Sequence, residues 1–124
     1  MPMQRSLKDY PKRGHIYIAD LEPSFGREIH KKRPVLIISN NIANQNTPYA
    51  VIIPTSSVVP NVIPEGIVYL GKLRGLDKES ILLPLFIRSI DQNRLVKRVG
   101  KLSKEKLKEV EYSLKLVLGL VSID

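Results

Sequence analysis

RGHIYIADLEPSFGREIHKKRPVLIISN, residues 13–40, is the stretch that decides the fold. Its opening, Ile16–Leu21, sets Ile16, Ile18 and Leu21 among Tyr17, Ala19 and Asp20, the near-alternation of a strand with one buried face. EPSFGREIHKKR follows with Pro, Gly and five basic side chains, counting His30, and reads as a long loop. Pro34 then opens PVLIISN, rich in β-branched residues and apolar on both faces. Such a run suits a central strand covered on both sides.

Outward from this core, Asn40–Pro48 is polar with four Asn and is expected to be a turn region, and Tyr49–Pro54 a third strand. Ser56–Gly66, behind Pro54 and carrying Pro60 and Pro64, is excluded from a central strand and reads as a loop or ragged edge hairpin. Ile67–Leu70, Ser80–Leu83 and Phe86–Ile90 are short strands punctuated by Gly71, Gly75, Asp77 and Pro84. Asp91–Leu95 suits one helical turn and Arg98–Leu102 a last strand. Ser103 is the expected N-cap of a helix over Lys104–Val121, whose stripe is Leu107, Val110, Leu114, Val117, Leu118 and Val121. Tyr112, Leu116 and Leu120 fall off that stripe, as exposed remainders or as a partner or dimer surface. Residues 1–12 read as a flexible basic arm, which leaves 13–124 as one domain. The expected class is mainly β (α+β): a small, partly open β-barrel with a C-terminal α-helix.

Composition narrows the function. With no Cys, disulfides, thiol nucleophiles and Cys-based zinc sites are excluded together. Two His, His15 and His30, make a multi-His metal centre a poor reading, so no metal or cofactor is expected. The N-terminal MPMQRSLKDYPKRG has no apolar signal core, and no apolar run approaches a bilayer span, which makes the cytoplasm the default compartment. Twenty Lys+Arg against 12 Asp+Glu give a net charge of +8. An excess of that size draws polyanions, nucleic acid first and an anionic membrane surface second.

Residues 13–40 resemble the opening of the MazF/PemK toxin family, where a strand of the type R-G-D-(I/V/L)-Y-x-(A/V)-D-(L/F)-x-P leads to G-x-E-x-x-x-x-R-P and an apolar strand. The matching residues are Arg13, Gly14, Tyr17, Asp20, Leu21, Pro23, Gly26, Glu28, Arg33 and Pro34. DKESILLPLFIRSIDQNRL, residues 77–95, is similar to the family's second half, including its I-R-(S/T)-I-(D/S) segment at Ile87–Asp91. The resemblance implies an SH3-like, CcdB-like barrel, a homodimer that cleaves single-stranded RNA at short sequences and is silenced by an antitoxin with an acidic segment. It also implies that Arg33 is the key arginine and Glu28 the loop carboxylate. The family's catalytic Thr falls, without gaps, on Ser56 of Pro54-Thr55-Ser56-Ser57; a one-residue shift gives Thr55. His15 stands where the family usually has Asp, and reads as a change at a strand end.

The chemistry can be built independently. RNA carries its own nucleophile, the 2′-OH, beside the phosphorus it attacks. A metal-free catalyst must align that attack, assist proton removal and stabilise charge on the phosphoryl oxygens. Arg33 suits the last task, because a guanidinium stays protonated and grips two oxygens in a planar fork. Glu28 can act as base or orient Arg33, or relieve repulsion among its basic neighbours. Ser56 or Thr55 can donate to a phosphate oxygen, or satisfy turn backbone groups. Arg27, His30, Lys31 and Lys32 are candidate backbone contacts, although a solvated loop surface is the bland alternative. Asn40 and Tyr49 are candidates for base recognition by hydrogen bonding and stacking, with turn and core roles as rivals. Two other functions compete with cleavage: coating of single strands without chemistry, and gyrase poisoning of the CcdB kind.

Overall fold

The computed structural model describes residues 10–21 and 32–122. Glu28, Arg27, His30 and Lys31 therefore lie outside the described residues, as do residues 1–9 of the expected arm. Among the described residues seven strands run in chain order: β1 (His15–Asp20), β2 (Lys32–Ile37), β3 (Tyr49–Ser56), β4 (Val68–Gly71), β5 (Ser80–Leu82), β6 (Arg88–Asp91) and β7 (Leu95–Lys101). Helix α1 (Asn41–Asn46) precedes β3, and α2 (Lys104–Val117) follows β7. The sheet is ordered β4-β5-β3-β2-β1-β7, with β6 also on β3, and every pairing is antiparallel.

β2 is the central strand that its sequence demands. Leu36 and Ile38 enter one apolar cluster with Ile16, Ile53, Leu82 and Val110, whereas Val35 and Ile37 enter another with Ala19, Ile52 and Ile90. β3 carries a proline in its interior because of what faces it. The Pro54 carbonyl accepts from Leu83 N at 3.0 Å. In a strand, a residue's N and O point to the same neighbour, so the missing N–H of Pro54 faces the break where β5 gives way to a 3-10 turn, Pro84–Phe86. The loop between β4 and β5 then crosses to β7 and partly closes the barrel. A Cβ on Gly75 (φ +93°) would lie 2.0 Å from the Val99 carbonyl oxygen, so only glycine permits this seat.

Three sequence expectations change. Asn41–Asn46 is a helical turn rather than open turn structure, because Asn40 caps it by accepting from Ala43 N and the buried Asn44 amide donates to Ser39 O. The long helix stops at Val117. Gly119 takes φ +73°, and Leu120 N and Gly119 N bond back to Lys115 O and Leu116 O in a Schellman pattern. Leu118 is thereby 52% exposed, while Leu116, read as off the stripe, is 9% exposed because the Ile63–Val68 segment lies against that side of α2. Lastly, the arm's end belongs to the folded unit: Tyr10 is buried and carries the Lys12 ammonium 3.5 Å above its ring.

The other boundaries shift by a residue or two, apart from β7, which begins three residues early. Ser103 caps α2 by accepting from Lys106 N, and Arg13 ties the start of β1 to α2 through Glu111 at 2.6 Å. No helix among the described residues is long and apolar enough to cross a membrane.

Candidate active site

The pairing of β2 with β3 stops three residues short of the start of β2 and two short of the end of β3, and the reason is Pro34. The last paired residues are Val35 and Pro54, so the next position sets Pro34 opposite Thr55. Proline has no N–H to offer the Thr55 carbonyl. Arg33 Nη1 takes that place, donating to Thr55 O at 2.9 Å. In return, Thr55 Oγ1 donates to Pro34 O at 2.8 Å. Side chains thus complete the ladder, and the completing group on one side is a guanidinium.

This arrangement forms the floor of a cavity of about 400 Å³, whose polar lining includes Lys32, Arg33, Ser56, Ser57, Asp77 and Lys78. Arg33 is half-buried on a strand, and its Nε has no partner among the described residues. Burial holds the Arg33 pKa below its ordinary value, yet the guanidinium stays charged at neutral pH. The arginine is therefore anchored at one nitrogen with donors left over.

The two hydroxyls differ. Thr55 is 2% exposed and its proton is committed to Pro34 O. Ser56 is half-buried at the end of β3 and accepts from Val58 N at 3.1 Å, which leaves its own proton available to an oxygen in the cavity. Lys32 is exposed at the rim, next to Arg33. Asn40 and Tyr49 are not brought here. Tyr49 begins β3 and Ser56 ends it, about 23 Å apart at ~3.3 Å per residue. Asn40 is occupied as the α1 cap.

Asp77 reads in the sequence only as strand punctuation and Lys78 carries no signal there, yet both line the cavity. Gly75, two residues earlier, was the available signal, since a glycine needed for close approach fixes the path of its neighbours. Among the described residues, no three His, Asp or Glu side chains converge as a metal site would require.

Fold and cleft together define a small antiparallel barrel with an arginine-floored cleft at the end of its two central strands. The chain belongs to the PemK-like, MazF-like toxins of type II toxin–antitoxin systems, the family profile matching residues 12–118. It is 34% identical over 111 residues to the endoribonuclease EndoA of Bacillus subtilis, covering 89% of this chain and 96% of that protein. MazF from Deinococcus radiodurans has the same fold, with a TM-score of 0.74 at 24% identity over 89% of this chain and 97% of the other. A mycobacterial endoribonuclease in complex with its cognate antitoxin superposes with a TM-score of 0.73 at 22% identity, over 90% and 98% of the two chains.

Proposed function

We propose that this chain is the endoribonuclease toxin of a toxin–antitoxin pair, cutting single-stranded RNA at the Arg33 cavity without a metal ion. The observation that carries the reading is the guanidinium held by Thr55 O beside a hydroxyl with a free proton, inside a cleft that also presents Lys32 and Lys78. In this reading the 2′-OH gives its proton to the base and its oxygen bonds to phosphorus, the bond to the 5′-oxygen breaks, and that oxygen takes a proton from water, so the products are a 2′,3′-cyclic phosphate and a 5′-hydroxyl. Arg33 stabilises charge on the phosphoryl oxygens and Ser56 donates to one of them. Thr55 holds the strand end in place. Glu28 serves as base, and Arg27, His30 and Lys31 as backbone contacts, on the strength of the sequence pattern alone. The nucleophile comes from the substrate and the counter-charge from arginine, so no step calls for a metal.

An acidic, partly apolar antitoxin segment fits the same cationic cleft and would compete with RNA for Lys32 and Arg33. A homodimer belongs to the reading as well, because Leu85, Leu118 and Leu120 are apolar and exposed, surfaces that a second copy would cover. The cytoplasm, where mRNA is met, is the matching compartment.

The test is a long single-stranded RNA incubated with the protein in EDTA, with the cut ends mapped. Expected are discrete cuts bearing 5′-hydroxyls, and resistance at any cut whose 5′-side ribose is replaced by deoxyribose. Cleavage that disappears in EDTA and returns with Mg²⁺ overturns the mechanism. RNA that is bound but stays intact overturns the nuclease reading in favour of a binder.

A further inference from the structure

On the other side of the Gly75 loop lies a second and larger cavity, about 850 Å³, between that loop, β7 and the start of α2. Its charged lining residues are Arg74, Arg98, Lys101 and Lys106, with no carboxylate among them. Lys106 is partly engaged, bonding Glu109 at 3.0 Å and Tyr69 O at 3.0 Å. Arg74, Arg98 and Lys101 are exposed and enter no ion pair among the described residues. Gly75 lines both this trough and the Arg33 cavity. The loop rests closely on β7 at Gly75, where its backbone meets the Val99 carbonyl.

We propose that this trough is an extended RNA-backbone subsite, which carries the substrate strand onward from the Arg33 cavity by contacts to phosphates rather than bases. The proposal rests on the nuclease reading and extends it to a surface about which that reading says nothing. Three lines support it. First, the charge is of one sign, as sequence-independent backbone binding requires. Second, the length fits: Arg98 and Lys101 are three steps apart on β7, about 10 Å at ~3.3 Å per residue, enough to meet successive phosphates of one extended strand. Third, the field registers on a neighbour. His15, paired with Lys101 across β1 and β7, has its pKa lowered by burial first and then by Arg98, Lys101 and Lys12. An acidic peptide is the weaker candidate, since blocking the Arg33 cavity requires no extension, whereas a long RNA must leave that cavity along some surface.

The experiment compares wild type, an R74A/R98A/K101A variant, and a K104A/K108A/K115A control that removes the same charge from exposed positions of α2. Binding of a long 2′-O-methyl RNA is titrated against salt, and cleavage is measured on an oligonucleotide that only spans the cut. The trough variant should lose about 2 from its salt slope, ~0.7 for each of three contacts, with short-substrate cleavage unchanged. Between 50 and 200 mM salt, that slope change corresponds to about 16-fold (fourfold salt, squared). The control should keep the wild-type slope. An unchanged slope in the trough variant overturns the proposal, and so does an equal loss in the control, which would reveal only the general field. Weakened binding of an acidic antitoxin peptide with RNA binding intact overturns it too, assigning the trough to a protein. If wild type fails to cut the short substrate, the nuclease reading has failed, and the binding titration still decides the trough.

Discussion

The two ends of β3 treat polar groups in opposite ways. At the Tyr49 end every demand is met from within. The Gln92 side-chain amide donates to the carbonyls of Asn44, Thr47 and Tyr49, at 2.8, 3.2 and 2.7 Å, and Asn44 is closed off by Ser39. At the Ser56 end demands stay open: Arg33 Nε is buried without a partner among the described residues, and the Ser56 proton is uncommitted. Buried polar groups that are fully satisfied rigidify a fold, whereas unsatisfied ones mark where a ligand completes the set. One end of the same strand is closed among its own groups, and the other keeps donors open.

Mutations can break this contrast, and the largest expected effect is at Arg33. Arg33→Ala should lower the rate about 10²–10³-fold, the usual loss for one transition-state donor. Urea unfolding should find the fold intact, since one half-buried strand-end side chain adds little to the core. A well-folded variant that cuts near the wild-type rate removes Arg33 from the chemistry. Next, Ser56→Ala should slow cleavage roughly 10–100-fold, matching one hydrogen bond to a charged group at ~1.5–3 kcal/mol. Thr55→Val should instead cost about 1 kcal/mol of stability, with turnover per folded molecule kept. The reverse pattern would exchange their roles.

At the Tyr49 end the sign of the experiment inverts. Gln92→Leu leaves three carbonyls short of a donor and should destabilise the protein by about 1–3 kcal/mol, read from the urea midpoint. Activity per folded molecule should stay at the wild-type level, and a specific loss of turnover would mean that the two ends are coupled. The smallest effect is expected at Pro34. Pro34→Ala restores a backbone N–H opposite Thr55 O, which competes with the Arg33 anchor. Turnover should fall about fivefold, the equivalent of ~1 kcal/mol, without loss of stability. A rate unchanged by Pro34→Ala shows that the anchor does not position the catalyst.

The sequence carried the fold almost completely, for reasons visible in individual residues. β2 declared itself because Val35, Leu36, Ile37 and Ile38 are buried on two faces, and no surface strand needs that. The α2 N-terminus was legible in Ser103, because a cap is a local event. Its C-terminus was not, since the apolar stripe runs on through Leu118 to Val121, past Gly119. α1 was hidden because four asparagines describe a turn until Asn40 is seen capping and Asn44 buried. In the site, Arg33 and Ser56 could be found from neighbouring residues. Asp77 and Lys78 could not, since only the seating of Gly75 on β7 brings them across the barrel.

The substitution of Arg33 for a missing proline N–H also has a consequence for engineering. An arginine is easily treated as a residue that can be moved to any well-placed Cα. Here the transferable unit is larger: an Arg-Pro dipeptide at a strand entrance, with a threonine on the adjacent strand whose carbonyl the proline leaves unclaimed and whose hydroxyl returns a bond. A graft of Arg33 alone onto another antiparallel pair would find the opposing carbonyl already taken by a backbone N–H, and its guanidinium would wander. Carried together, the three residues bring their own vacancy with them, so a host sheet would need only one pair of strands that can stop pairing before they end.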